Sequence, residues 1–597
     1  MADQPATAAA HYGLSHEPPG DLAPPPGLGA ARLWWAQEAR GEELPRAYNA
    51  PMLSAGDWVV ILLYLGGVTT AGLLLSRGQR TRRDYFLGGR SLSWWTVGLS
   101  IVATETSALT FIGVPAMANG RLRQGPDGSV LAEGGNLLFL QIVIGYILAR
   151  VVVAAVMVPH YFRGDVYTPY QLLRRAFGPA PRYLAAVLAL VNMCLQAGVR
   201  VYVTAIPVMI VARTVLPGWG IWHSIVLFTG VSLVYTALGG IRAVVWTDVI
   251  QFFVFFAGGL FALLYIPTLL HAPGGATGWP ALLELGRDKL QIWSWGLASR
   301  EAHPGLWSWV VASLARLLGG DFNIWMGLVG ATVGVMVSHG ADQLNVQRVL
   351  ACRDAAGGRR ALLLSAVVVG PQFLVFLLVG VGLYAFYLQS GFDFGALPPW
   401  DPTGASHEPK ADYVFPIFIV TQMPPLVRGF LVAGILASAM SSLTSALSAI
   451  SSVAVMDLLR PLTRLGQRPG RELAVGRGGT VVAGLALIVI AWWAKDAPLV
   501  FNLVFQFAGI FSGAKLGALL LAIWRRRGRG GPVIAGMLTS TAVMALVVWA
   551  TKRGLLRINW PWYPAIGTLV CLAVARALSR GDAPAGRDVD REEEDEP

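Results

Sequence analysis

A row of hydroxyls runs through one apolar stretch of this sequence. Between Leu431 and Ser452, the residues Ser438, Ser441, Ser442, Ser445, Ser448 and Ser452 recur at steps of three and four. That spacing puts them on one face of an α-helix. Two roles fit the stripe equally: an oxygen-lined face for a hard cation such as Na+, or a close-packed helix interface built on small residues. A second apolar stretch carries Thr104, Glu105, Thr106, Ser107 and Thr110, followed by Gly113 and Pro115. A carboxylate at membrane depth needs a partner or water. We read this stretch as an interrupted helix whose freed carbonyls line a cavity, against an intact helix whose hydroxyls bond back to its own carbonyls. Enzyme chemistry has no foothold. There is no His-Glu-x-x-His, no Gly-x-Ser-x-Gly and no phosphate loop. The 3 cysteines (Cys194, Cys352, Cys571) and 8 histidines show no pairing or metal spacing.

The elements that must position these groups follow from composition. The 597 residues are 55% hydrophobic and 13% charged, with a mean hydropathy of +0.56. A soluble domain so poor in charge would not stay dissolved. A spanning helix needs about 20 mostly apolar residues, and continuous apolar runs, instead of alternating ones, exclude a β-barrel. The expected fold is all-α integral membrane with about thirteen transmembrane helices. They lie near 55–76, 93–118, 136–159, 181–213, 221–239, 243–268, 322–341, 361–388, 425–458, 473–494, 498–524, 532–551 and 558–578.

The net charge of +12 sits in short loops, so it speaks of topology and not of nucleic acid. Alternate loops gather Arg77 to Arg90, Arg163 to Arg182, Arg242, Arg348 to Arg360, Arg460 to Arg471 and Arg525 to Arg529. The positive-inside rule then puts the N-terminus outside and the C-terminus in the cytoplasm of a cell-membrane (inner or plasma membrane) protein. Residues 1–52 read as a partly disordered extracytoplasmic segment without a cleavable signal peptide, 53–578 as the transmembrane domain, and 579–597 as a disordered acidic tail. The tryptophan-rich loop 269–320 suits short interfacial helices. Loop 389–424 holds a Pro-rich turn and an amphipathic stretch around Tyr413 to Ile419. Either loop packs at the interface or covers a pathway.

Four segments resemble the sodium:solute symporter family, over about Asp84 to Trp524. They are Asp84–Trp95 (Asp-Tyr-Phe-Leu-Gly-Gly-Arg-Ser-Leu-Ser-Trp-Trp), Gly239–Gln251 (Gly-Gly-Ile-Arg-Ala-Val-Val-Trp-Thr-Asp-Val-Ile-Gln), Ala341–Arg348 (Ala-Asp-Gln-Leu-Asn-Val-Gln-Arg) and Ala437–Ser445 with Met456 and Asp457 after it. The resemblance implies a five-plus-five inverted repeat with flanking helices, its core repeats at about 93–268 and 322–524. Each repeat would open with an interrupted helix. The seventh span, Gly-rich from Gly327 to Gly340 and ending in Ser338 and His339, agrees with that.

The resemblance also implies a sodium site. Carbonyls of Ala103, Thr106 and Ser438 and hydroxyls of Ser441 and Ser442 would hold the ion. Consecutive serines project about 100° apart on a helix, so both ligate only if the ion lies between them and a second chain. Where some members place an Asp for a second cation, Arg200 stands here, one turn after Gln196. A guanidinium would repel sodium; it fits a fixed cation, an anion-binding group, or a partner of Glu105 or of carbonyls. Ser338 stands at the inner aromatic gate of the sugar-transporting members and Val335 at their amide, so sugar specificity of that type is not implied. His339 either packs or lines the pocket.

Further candidate pocket groups are Glu105, Thr110, Gln141, Tyr146 and Gln506. Asp248, Asp342, Arg348 and Asp457 are expected at inner borders, in loop-to-loop pairs. The expected function is a Na+-coupled symporter importing a small organic solute by alternating access, not an enzyme. The alternatives are a proton-coupled symporter, through Glu105, or a transporter-like membrane sensor. Expected partners are the solute, the sodium ion and the bilayer, with no nucleic acid, in a monomer or weak homo-oligomer.

Overall fold

The computed structural model describes residues 53–75, 79–124, 130–213, 216, 218–390, 414–463, 471–494, 500–525 and 528–579. The segment 1–52, the Pro-rich turn before Val414 and the acidic tail lie outside the described residues. The described residues are almost wholly helical. Among them ten helices are long and apolar enough to cross a bilayer, eleven with one bent pair. This is fewer than the thirteen expected, for two physical reasons. The segment Met326–Ala341 is a short apolar helix, wound partly with π-turns. Segments 221–239 and 243–268 run together as Ile221–Thr268, 48 residues. A straight helix of that length would measure about 72 Å, more than twice the roughly 30 Å hydrocarbon core of a bilayer. It is not straight: Gly240 has φ 51° and ψ −160°.

We label the helices α1 (Ala55–Leu75), α2 (Trp94–Glu105), α3 (Ala108–Asn119), α4 (Phe139–Tyr161), α5 (Pro179–Arg213), α6 (Ile221–Thr268), α7 (Leu306–Gly319), α8 (Met326–Ala341) and α9 (Gln343–Leu350). They continue with α10 (Ala355–Ser390), α11 (Val414–Gln422), α12 (Val427–Leu462), α13 (Glu472–Ala494), α14 (Val500–Arg525), α15 (Gly530–Lys552) and α16 (Tyr563–Leu578). One small antiparallel ribbon was not expected: Arg121–Gln124 pairs with Val130–Glu133. The tryptophan-rich loop does contain short helices, Trp279–Leu285 and α7, and Phe415, Phe418 and Ile419 of α11 are buried.

Two apolar clusters fill the bundle. One gathers side chains near the arginine-rich loops, such as Tyr85, Met157, Tyr170, Leu350 and Leu447. The other gathers side chains toward the opposite end, such as Phe111, Phe255, Phe376 and Phe415. The division falls between Ile101 and Val102 on α2, and between Ile435 and Ala439 on α12. Polar groups occupy the layer between. Close approach of α4 to α8 depends on Gly145 and Gly327, since a Cβ on either would run into a carbonyl of the other helix (Gly327 O and Gln141 O).

Buried ion pairs pin both ends of α12. At its start, Asp57 of α1 accepts from the N–H groups of Leu426 and Gly429 (2.8 and 2.9 Å) and from Arg428 Nε (3.1 Å). At its other end, Asp457 accepts from Arg182 Nε of α5 (2.8 Å), whose Nη2 also donates to Met456 O (2.7 Å). The α6 turn is locked in turn by a short helix before α2, Arg82–Leu87. Tyr85 OH donates to Ala237 O (3.2 Å) and bonds Thr480 Oγ1 of α13 (2.8 Å).

A side chain at Gly240 fits neither its left-handed φ nor its surroundings, where a Cβ would lie 2.5 Å from Tyr85 O. Gly240→Ala is expected to cut the yield of monodisperse protein in size-exclusion chromatography to a small fraction of wild type. Gly66→Ala, at a position with nothing within 4 Å, is the matched control and leaves the yield unchanged.

Candidate functional site

The stretch from Trp94 to Asn119 is a broken helix. α2 and the helix after it meet at 56°. Thr106 (φ −79°, ψ 88°) and Ser107 (φ −88°, ψ 173°) leave the helical region between them. A regular ladder would send the N–H of Ser107 to Ala103 O and that of Thr110 to Thr106 O. Here Ser107 N–H donates to Glu105 O (3.1 Å) and Thr110 N–H to Ser107 O (2.8 Å). The carbonyls of Ala103 and Thr106 are thereby taken out of the ladder, deep in the bundle. Neighbouring helices hold the break open. Ser442 Oγ of α12 donates to Thr104 O (3.2 Å), and Gln372 Nε2 of α10 donates to Thr106 Oγ1.

The α12 hydroxyl stripe divides into two parts. Ser448 Oγ accepts from Gln347 Nε2 (3.1 Å) and Ser452 Oγ from Gln343 Nε2 (2.9 Å), so this half anchors α9. Ser441, Ser442 and Ser445 instead face the break. Ser441 Oγ donates to Asp248 Oδ1 of α6 (2.8 Å). Asp248 Oδ2 accepts from Ser100 Oγ (2.6 Å) and from Arg348 Nη2 of α9 (2.9 Å). Arg348 Nε donates to Ser100 Oγ (2.8 Å), and its Nη2 also donates to Ser445 Oγ. Thr104 and Ser445 close the ring through their hydroxyls (3.1 Å). Asp248 and Arg348 are both 0% exposed. The two are paired with each other, and the pair is enclosed in the bundle beside the break instead of lying between exposed loops. Loop spacing could not show that α9 turns back into the bundle and carries Arg348 to the break. Asp342 pairs elsewhere, with Lys515 Nζ of α14 (3.1 Å).

Beside the break lies a cavity of about 280 Å³. It brings together Glu105, Thr110, Tyr146, Arg200, Ser338 and His339. Glu105 forms an ion pair with Arg150 of α4, and not with Arg200. Arg150 Nη1 also donates to Tyr146 O (2.9 Å) and its Nε to Ser365 Oγ (3.1 Å). Arg200 Nη2 reaches only Gln196 Oε1 (3.4 Å), and its buried Nε has no hydrogen-bond partner among the described residues. Gln141 is placed away from this group. Its Oε1 accepts from Ser294 N (3.3 Å) and so secures the tryptophan-rich loop. The side chain of Gln506 lies outside the described residues. A second space of about 10 Å³, room for one water-sized particle, is lined by Ser107, Arg200, Thr204 and Ser442 among others. Among the described residues no group of His, Cys, Asp and Glu is arranged to hold a metal ion, so oxygen of hydroxyls and carbonyls is what the break can offer a cation.

Arg150 and Lys515 are the site residues that the sequence reading passed over. Each is a lone cation inside an apolar run, and that alone marks a polar interior or a partner.

Residues 85–540 match the model of the family described as "Sodium:solute symporter family". The chain is 25% identical over 540 residues to a sodium/sialic acid symporter of Proteus mirabilis, covering 89% of this chain and 96% of that protein. It is 28% identical over 513 residues to the human sodium/iodide cotransporter, covering 84% of this chain and 70% of that one. Among solved structures, the substrate-bound outward-open state of a Na+-coupled sialic acid symporter shares its fold, with a TM-score of 0.70 at 24% identity over 89% of this chain and 99% of that one.

The Asp248–Arg348 pair predicts a thermodynamic signature. Arg348→Met strands a buried carboxylate and is expected to destabilise by about 3–5 kcal/mol. Adding Asp248→Asn to it should restore more than half of the loss. Thermal denaturation of the solubilised single and double variants measures the coupling.

Proposed function

The chain belongs to the sodium:solute symporter family, and from that premise we propose that it imports a small organic anion together with Na+, by alternating access. A family of transporters makes it a multi-pass membrane protein and not an enzyme. The cell membrane, with the N-terminus outside and the C-terminus in the cytoplasm, is the location we propose, on the arginine bias of its loops.

One observation carries the ion: the break frees the carbonyls of Ala103 and Thr106, and Ser442 Oγ of α12 reaches the carbonyl of Thr104 between them (3.2 Å). Ser441 gives its proton to Asp248 and Ser442 gives its own to Thr104 O or Ser438 O. Both hydroxyl oxygens therefore keep lone pairs for a cation. Na+ bound between α12 and the break would hold one arrangement of the bundle over another. Such differential binding is the only means by which an ion gradient can bias a conformational cycle.

The count of charges around the cavity supports an anion as the solute. Glu105 is paired with Arg150 and Asp342 with Lys515. Arg200 remains, a cation within the bundle that forms no ion pair among the described residues; the carboxylate that acts on it, Asp342, is held by Lys515. An anion entering the cavity would pair with Arg200. Glu105 keeps proton coupling as a second reading, since its side chain lines the cavity and is 17% exposed.

Proteoliposomes with an imposed Na+ gradient test the proposal. Uptake of the anion is expected to rise with inward Na+ and to stop when the gradient is collapsed. Ser441→Ala with Ser442→Ala should remove the stimulation, and Arg200→Gln should raise KM for the anion by about tenfold or more. Uptake driven by a pH gradient alone, in sodium-free buffer and lost in Glu105→Gln, would put the proton reading in its place.

A further inference from the structure

The broken span α2–α3 and the π-wound end of α8 stand on either side of a gap at the cavity. Glu105 is the last residue of α2, at the break. His339 lies in the π-wound end of α8, Val337–Ala341. Both line the cavity. His339 Nδ1 bonds Ser338 Oγ (2.8 Å), which itself lies 3.2 Å from Val335 O. His339 Nε2 is buried and has no hydrogen-bond partner. The nearest acid is Glu105, whose Oε2 is 4.0 Å away. That is too far for a direct hydrogen bond. An oxygen atom to one side of the line joining them can reach both at about 2.8 Å. A buried nitrogen left bare in this way costs free energy, and such an exception calls for an explanation.

We propose that this gap receives a hydroxyl of the transported anion. The substrate would then be a hydroxylated organic acid, and not a plain alkyl carboxylate or a halide. The inference rests on the anion reading above and adds the second functional group. With Ser338 donating to Nδ1, Nε2 carries the proton. A hydroxyl then accepts from Nε2 and donates to Glu105. A neutral donor suffices, because Arg150 already balances the carboxylate. A ligand seated here would join α2 to α8, the opening helices of the two repeats, so its binding and the closing of the bundle would be one event.

The test uses purified full-length protein in saturating NaCl, titrated with matched acids in a thermal-shift assay. The pairs are lactate with propionate, 3-hydroxybutyrate with butyrate, and gluconate with hexanoate. In wild type, at least one hydroxylated acid should bind about 10- to 100-fold tighter than its partner. His339→Leu should bring that ratio to within about threefold, and His339→Gln, which keeps a polar group at the gap, should retain part of it. Comparing two ligands within one variant cancels any general loss of stability. If His339→Leu yields no folded protein, His339→Asn replaces it, its amide too short to reach the gap. Equal binding within every pair in wild type, or a ratio that survives the loss of His339, overturns the inference. Stabilisation by Na+ alone, with no response to any acid, overturns the anion reading and this inference with it, while leaving the sodium site standing.

Discussion

Main chain that leaves the helix inside a bilayer has no water to turn to, and each of its polar groups must be met by protein, ion or ligand. The rest of the structure is arranged around one such place, Thr106 and Ser107. The side chains that reach it come from three directions: Ser442 from α12, Gln372 from α10, and Ser445 and Asp248 through Thr104. They satisfy part of what the break exposes. What they leave over, carbonyl oxygen beside hydroxyl oxygen, is chemistry for a small hard cation.

The Asp248–Arg348 pair is the frame of that arrangement. A buried ion pair is weak evidence for stability, because desolvation offsets most of its attraction. It is strong in another way: neither member can move without abandoning the other. This pair fixes α6 and α9 to α2 and α12 at one depth. It also joins two segments by which the sequence resembles its family, Gly239–Gln251 and Ala341–Arg348. The Tyr85 contacts with Ala237 O and Thr480, and Gln347 Nε2 to Phe86 O (2.9 Å), tie in the segment Asp84–Trp95. The motifs are thus one connected body of packing beside the cavity, with Asp342, Leu344 and Asn345 in its wall.

Much of this was legible in the sequence because it lies in local pattern. Apolar length marked the helices, and the polar run from Thr104 to Thr110 marked the break. The period of the serines marked the hydroxyl-bearing face of α12, a helix buried on every side. Pairing was far less legible, since it depends on which helices become neighbours. The sequence reading offered Arg200 as a partner for Glu105, and the structure gives Arg150, 45 residues along the chain. It expected Arg348 in a pair between loops, because nothing in eight residues of mixed polarity says that a short helix folds inward. It put Gln141 among pocket groups, because burial was visible and direction was not. The serine stripe, left open between ion-lining and packing, divides between a half that faces the break and a half that anchors glutamines. Periodicity alone could not separate the two.

If the break and the α12 serines together seat the sodium ion, its binding must restrain both. Hydrogen–deuterium exchange of the purified protein, compared in NaCl and in KCl at equal ionic strength, reads this out. Slower exchange in NaCl is expected for peptides spanning residues 100–111 and 436–446, with the tryptophan-rich loop unaffected. Identical exchange of both peptides in the two salts would contradict it.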